Sequence, residues 1–221
     1  MKKGLFVTLE GIEGAGKSTV VSFLIDRLRS EGIDYVLTRE PGGTEIAERI
    51  RSVVLAHYQE NMHPDTEMLL YFAGRAQHLR QLIMPALNSG RWVICDRFTD
   101  ATYAYQGGGR GLPKERIAIL EQWVQEEVRP NYTFLLDLPA EVGLSRIRTN
   151  RCLDRIEEEN RSFFDKVRSC YLTMAQWEPN RFIVIDAVQS LGDVSAQIDG
   201  ELCKIIAEWQ ERISCHCEEL A

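Results

Sequence analysis

The sequence predicts a three-layer α/β/α fold of the P-loop NTPase type, with a five-stranded parallel sheet and a short helical lid. Three observations carry this. Short apolar runs at about residues 4–9, 34–38, 91–95, 132–137 and 182–186 have the length of buried strands. Helix-like stretches at about 17–30, 44–57, 65–88, 114–127, 140–149, 157–177 and 190–213 separate them, and this alternation means a parallel sheet covered on both faces. Finally, Gly11-Ile12-Glu13-Gly14-Ala15-Gly16-Lys17-Ser18 fits G-x-x-x-x-G-K-[ST] between the first strand and the first helix. A length of 221 residues suits one domain spanning 1–221.

The first strand, Leu5-Phe6-Val7-Thr8-Leu9, delivers the chain into that loop. Its glycines let backbone N–H groups turn inward on phosphate oxygens, and the helix N-terminus adds partial positive charge. Gly11, Ile12, Glu13, Gly14, Ala15, Gly16, Lys17, Ser18 and Thr19 are therefore the candidate segment for binding a nucleoside triphosphate. Lys17 can reach the β- and γ-phosphates, and the Ser18 hydroxyl can bind Mg²⁺. The second strand ends in Thr38-Arg39-Glu40-Pro41-Gly42-Gly43-Thr44, a turn followed by a helix with Thr44 as its cap. The third ends in Ile94-Cys95-Asp96-Arg97-Phe98, where Asp96 is placed like a Walker B aspartate, a second metal candidate. Ligands of such sheets bind beyond the C-terminal strand ends, which puts Glu10–Thr19, Arg39–Thr44, Asp96–Tyr105 and Asp137 along one edge. Gln106–Gly111 is glycine-rich and is expected to be a flexible loop. The polar stretch Thr149–Asp154, flanked by Arg146, Arg148 and Arg155, is expected to be a mobile lid at about 146–157.

Composition narrows the function. A hydrophobic fraction of 44% is ordinary for a globular core, and a net charge of −7 argues against nucleic acid or a membrane surface as the main partner. No apolar run approaches the roughly 20 residues that span a bilayer. The N-terminal apolar run is too short for a signal peptide, so the protein is expected in the cytoplasm. Cys95, Cys152, Cys170, Cys203, Cys215 and Cys217 fit neither a zinc template nor a disulfide framework. Cys215-His216-Cys217 brings only three ligands together, and free thiols on a terminal helix or tail are expected.

A P-loop brings a nucleoside triphosphate, and the acceptor must be inferred from the other charges. A second, motor-type domain is not expected in a chain of this length, and the sequence contains no N-K-x-D tetrapeptide. It does carry arginines at strand ends and in the lid stretch. Phosphoryl transfer is mostly positioning and charge stabilisation, and a phosphorylated acceptor adds anion–anion repulsion that several cations must offset. Arg39, Arg51, Arg75, Arg97 and the lid arginines meet that need through planar, bidentate forks. Taken singly, Arg51 and Arg75 read as ordinary solvated helix charges. A phosphate oxygen is already a nucleophile, so no Ser–His or Cys–His pair is required. His57, His63, His78 and His216 do not cluster near the loop, and most are expected on the surface or a helix face.

The ordered set Gly11–Ser18, Thr38–Thr44 (TREPGGT), Leu69–Arg75 (LLYFAGR), Asp96-Arg97-Phe98, Ala104–Gly111 (AYQGGGRG) and Leu153–Glu157 (LDRIE) resembles the bacterial thymidylate kinases, over roughly residues 3–210. Adenylate, guanylate and cytidylate kinases do not carry TREPGG together with AYQGGGRG. The resemblance implies transfer from ATP to dTMP, giving ADP and dTDP for DNA precursor synthesis, with Mg²⁺, usually in a homodimer. It implies that Lys17, Ser18 and the loop amides hold ATP, and that Arg97 lies between donor and acceptor phosphates. Arg39 and Arg51, beside Pro41, lie near the dTMP phosphate, and Glu13 faces the acceptor sugar. Arg75 meets a thymine carbonyl, Thr102 occupies the position that reads the ring N–H, and Tyr105 packs under the deoxyribose near Gln106. In the bacterial type the catalytic arginine comes from the lid, here Arg148 and Arg151 together.

Two departures stand out. The position of the base-stacking Phe is Tyr71, with Phe72 next to it. The lid arginines also lose the R-x-R-x-R-G register, because the third falls one place late at Arg151 and the glycine is missing. A deoxynucleoside acceptor, or another nucleotide kinase activity, is the alternative within enzymes; an acceptor without phosphate would leave Arg39, Arg51 and Arg97 with no anion. A non-catalytic nucleotide-binding relative would be expected to have a damaged Lys17, Asp96 or Arg97, and all three are intact.

Overall fold

Residues 4–147 and 153–218 are described in a computed structural model, positions 213–218 through their backbone alone. Strands β1 (Phe6–Glu10), β2 (Tyr35–Arg39), β3 (Trp92–Asp96), β4 (Tyr132–Asp137) and β5 (Phe182–Asp186) form one parallel sheet in the order β2-β3-β1-β4-β5. Thr8 of β1 lies opposite Cys95 on one side and Thr133 on the other. The central β1 is buried along its whole length, whereas the edge strands β2 and β5 expose Leu37 and Val184. Successive side chains point to opposite faces. Leu5, Val7, Leu9, Trp92 and Ile94 accordingly join the larger core, while Phe6, Val93 and Cys95 join a second core on the other face.

The intervening helices are α1 (Lys17–Ser30), α2 (Glu45–Leu55), α3 (Pro64–His78), α4 (Met84–Asn88), α5 (Thr99–Thr102), α6 (Lys114–Gln125), α7 (Ala140–Ile147), α8 (Arg161–Trp177) and α9 (Leu191–Glu218). α1, α8 and α9 supply Leu24, Leu28, Phe164, Val167, Ile198 and Leu202 to the larger core. Leu79, Ile83 and Ala86 cover the opposite face. Thr44 caps α2 as expected, its side chain accepting from the Ala47 N–H at 3.3 Å.

Three elements differ from expectation. The predicted helix 65–88 is interrupted by a π-helical segment, Leu79–Ile83. Pro85 lies just beyond it; proline has no N–H to donate and its ring crowds the preceding turn, which a wider turn relieves. Gln106–Gly109 is helical where a loop is expected, with Arg110 and Gly111 turning out of it: α5 runs into a second π-helical segment, Tyr103–Gly109. Its glycines let α8 pack against it, since a Cβ at Gly109 would lie 2.4 Å from the Phe163 ring. The predicted helix 157–177 starts only at Arg161, because the Asn160 side chain caps it by accepting from the Phe163 N–H at 3.0 Å. The expected lid is described at its two flanks, and Thr149–Cys152 lie outside the described residues, as does Arg148. The backbone of Cys215-His216-Cys217 belongs to α9, and the side chains lie outside the described residues.

Gly143 brings α7 against the phosphate loop. A Cβ there would lie 2.5 Å from the Glu13 carbonyl, and one at Gly14 would lie 2.2 Å from the Gly143 carbonyl. Gly143→Ala is expected to cost about 1–3 kcal/mol in urea unfolding, the range for forcing packed backbone apart. A loss below about 0.5 kcal/mol would show that α7 can move aside freely.

Candidate active site

The C-terminal ends of β1, β2 and β3 open into one cavity of about 630 Å³. Glu13 to Ser18 form its floor. Gly16 takes the left-handed φ of 89° where the chain enters α1, a conformation an L side chain rarely adopts. Gly11 and Ile12 are buried beneath the floor, and Thr19 is exposed on α1 without lining the cavity. The Lys17 Nζ donates to the Gly11 and Ile12 carbonyls at 3.1 and 3.2 Å. Burial and the neighbouring Arg97 charge lower its pKa from 10.5 to about 8. Asp96 lines the same space, and its Oδ1 is buried with no hydrogen-bond partner among the described residues. Asp137, at the next strand end, is held by Arg168 at 2.7 and 2.8 Å and does not line the cavity.

Arg97 leaves β3 with a φ of 70°. Its Nη2 donates to Glu13 Oε1 at 2.8 Å, and its guanidinium lies 4.7 Å over the Tyr105 ring. Burial alone would lower its pKa, but Tyr105, Glu13 and Tyr171 raise it well above the ordinary arginine value. The Tyr105 hydroxyl donates to Glu13 Oε2 at 2.6 Å, so one P-loop carboxylate holds both groups. The turn beneath Arg97 is fixed from behind by Glu10. This buried carboxylate accepts from the Phe98 N–H at 2.7 Å and from the Tyr171 hydroxyl at 2.6 Å. Burial, reinforced by Asp100, raises the Glu10 pKa to about 8.

The wall after β2 carries Arg39 and Arg51. Arg39 is more than half exposed and pairs with Glu48 at 3.1 Å. Arg51 Nη1 donates to the Pro41 carbonyl at 2.8 Å, and burial, then Arg39, lower its pKa. All three of Arg39, Pro41 and Arg51 line the cavity.

At the far end, Tyr71, Arg75, Thr102, Tyr105 and Gln106 line the cavity. Arg75 is 2% exposed, so it is not a solvated helix charge. Its Nε donates to Glu40 Oε2 at 2.7 Å and its Nη2 to Thr102 Oγ1 at 3.0 Å. Its Nη1 is buried with no partner among the described residues. Phe72 does not line the cavity. It is 2% exposed, packs with Met68 and Ile117, and supports Arg75, whose guanidinium lies 4.8 Å over its ring. Helical geometry turns adjacent residues to different sides, which leaves Tyr71 as the aromatic at the cavity.

On the lid side, Arg146 Nη1 donates to the Gly14 carbonyl at 3.3 Å and the Ala187 carbonyl at 3.2 Å. The predicted Arg148 and Arg151 lie outside the described residues. Residues that the sequence reading gave no role connect the two ends. Glu67, 1% exposed, accepts from Gln106 Nε2 at 2.7 Å, lies 2.6 Å from Arg155 Nη2 and also pairs with Arg110. His78 lies on a helix face, as expected of most of the histidines, but is fully buried there, against Glu40. Glu67, Tyr71, Arg75 and His78 recur at helical spacing, a signal for one polar face of α3.

The thymidylate kinase family model matches residues 9–198. A thymidylate kinase from Pseudomonas syringae pv. tomato is 59% identical over 203 residues, covering 92% of this chain and 97% of that protein. One from Pseudomonas fluorescens is 60% identical over 199 residues, covering 90% and 95%, and one from Ectopseudomonas mendocina is 59% identical over 203 residues, covering 92% and 97%.

Placing a triphosphate against Lys17 favours its charged form, and the added anion also favours protonated Glu10. ATP binding at about pH 8.5 is therefore expected to take up protons, because both groups are partly deprotonated in the free protein above pH 8. Titration calorimetry in two buffers of different ionisation enthalpy measures this directly. Net proton release, or no exchange, would contradict the buried, self-bonded Lys17.

Proposed function

The chain belongs to the thymidylate kinase family, and we infer that it transfers the γ-phosphoryl group of ATP to dTMP, giving ADP and dTDP, within one kinase domain at 1–221. The observation that carries this for the chain's own residues is the continuity of one cavity. It joins the P-loop to a buried arginine with an unpartnered N–H, a phosphate end and a carbonyl-reading end.

In this reading Lys17, Ser18 and the amides of Gly11–Thr19 hold the ATP phosphates. Arg97 exchanges Glu13 for phosphate oxygens between donor and acceptor. Arg39 and Arg51, beside Pro41, hold the acceptor phosphate, and Glu13 and Tyr105 bracket the deoxyribose with Gln106 close by. Arg75 Nη1 donates to a thymine carbonyl, Thr102 faces the ring N–H, and Tyr71 stacks on the base. Arg148 and Arg151 add lid charge as the lid at about 146–157 excludes water. The acceptor phosphate oxygen attacks in line, with no covalent enzyme intermediate.

Asp96 Oδ1, a buried oxygen with no partner among the described residues, and the Ser18 hydroxyl fit Mg²⁺, which takes one or two carboxylates together with substrate phosphates. Bound there, Mg²⁺ neutralises phosphate charge. Among the described residues no group of three or more His, Cys, Asp or Glu side chains is placed to hold a metal, which suits such a phosphate-completed site.

Among the described residues no helix is long and apolar enough to cross a membrane. A cytoplasmic enzyme supplying DNA precursors agrees with that. A homodimer is supported by exposed apolar side chains on neighbouring helices: Ile46 and Val53 on α2, Leu69 on α3, and Ile119 and Trp123 on α6.

The test is ADP formation from ATP and Mg²⁺ with dTMP, dUMP, dCMP, dGMP, UMP and thymidine. Strong turnover with dTMP, weaker turnover with dUMP and none with thymidine is expected. Turnover of thymidine, or of none of them, would overturn the acceptor assignment. Arg97→Ala is expected to lower kcat by about 10³-fold, as for other lost transition-state donors. A change within about threefold would remove Arg97 from the reaction.

A further inference from the structure

A closed polar chain lies behind the carbonyl-reading arginine. His78 Nε2 is 2.7 Å from Thr38 Oγ1, and His78 Nδ1 is 3.0 Å from Glu40 Oε1. The other Glu40 oxygen takes the Arg75 Nε, and Arg75 Nη2 reaches Thr102. Every member is buried: Thr38 8%, Glu40 5%, Arg75 2%, Thr102 1% and His78 0% exposed. The turn after β2 closes over it, since a Cβ at Gly43 would lie 2.4 Å from His78 Nε2. Both ring nitrogens of His78 are thereby engaged, Nδ1 with the Glu40 carboxylate and Nε2 with the Thr38 hydroxyl.

The rings of Phe72 and Phe98 cover the guanidinium at 4.8 and 5.0 Å. With Nε on Glu40 and Nη2 on Thr102, Nη1 is the guanidinium nitrogen that has no partner among the described residues, and the two bonds fix the plane in which its N–H groups point. A fixed donor accepts a carbonyl and opposes an amino group, the difference between thymine and cytosine at the ring 4-position. His78 does not line the cavity, so it acts only through Glu40.

We propose that His78 and Glu40 are positioning residues for base selection, holding the Arg75 guanidinium so that Nη1 meets a pyrimidine carbonyl and rejects an amino group at the same place. The proposal rests on the dTMP reading above. It assigns the Thr38–His78–Glu40 chain to specificity for the acceptor base, separate from the machinery that holds ATP.

Steady-state kinetics with dTMP and dCMP on the wild type, Glu40→Gln and His78→Gln test it, with folding checked by melting curves. Gln at 40 keeps the size but loses the charge, so the dTMP-to-dCMP ratio of kcat/KM is expected to fall about tenfold or more. The fall comes through KM for dTMP, while KM for ATP stays within about twofold, a split that general loss of structure would not produce. Gln at 78 can still donate to Glu40, so its ratio falls less, by about threefold. If either variant does not fold, Thr38→Val carries the same readout and is expected to lower the ratio. A ratio within about twofold of wild type in the folded variants overturns the proposal. A wild type that ignores dTMP overturns the acceptor assignment instead.

Discussion

A buried carboxylate at the end of the central strand fixes the turn from which the rest of the site is built. Glu10 accepts the Phe98 N–H and the Tyr171 hydroxyl, and β1 also accepts the Arg97 N–H at the Leu9 carbonyl, 3.0 Å away. These bonds hold Arg97 at a φ of 70°, a conformation that costs a non-glycine residue about 1–3 kcal/mol. The cost persists because the surrounding bonds over-determine the turn. With its pKa raised to about 8, Glu10 is mostly neutral at pH 7, and each such bond contributes about 1 kcal/mol. Strand placement thus becomes side-chain aim: the guanidinium projects over the phosphate loop instead of along the sheet.

The cations of the cavity are matched to internal acceptors. Arg97 rests on Glu13, Arg39 on Glu48, Arg75 on Glu40, and Lys17 on its own loop carbonyls. Buried charge requires such partners. In the proposed reading, phosphate oxygens take over Arg97 and Lys17 from Glu13 and the loop carbonyls, and Glu13 keeps the Tyr105 hydroxyl. Glu40 is different, because its Arg75 partner keeps a spare N–H while the pair stays closed. In the proposed reading the phosphate end is therefore exchangeable and the base end rigid. Glu67 ties Gln106 to Arg155, within the expected lid segment, through one buried carboxylate.

Much of this was legible in the sequence. The P-loop and the strand ends with Arg39 and Arg97 carry local signals, because strand–turn–helix chemistry is written in consecutive residues; Arg51 and Arg75, inside helices, read singly as solvated charges and take their roles from the family resemblance. Tyr71 against Phe72 was open, since adjacent residues on a helix differ only in which side faces the cavity, and that depends on how α3 packs. The glycine run Gly107–Gly109 reads as flexible by composition, yet tertiary contact with Phe163 makes it helical. Glu10, Glu67 and His78 carry no motif. Their partners lie 88, 39 and 38 residues away in the cited bonds, so only the folded chain brings them together.

The most direct measurement is a crystal structure of the protein with ADP and dTMP bound. The account predicts that Arg97 keeps its left-handed backbone on Glu10 while its guanidinium meets phosphate oxygens. It also predicts that Arg75 Nη1 lies about 3 Å from a thymine carbonyl, with Nε still on Glu40. A bound dTMP whose base lies away from Arg75, or an Arg97 that remains on Glu13 and touches no phosphate, would contradict it.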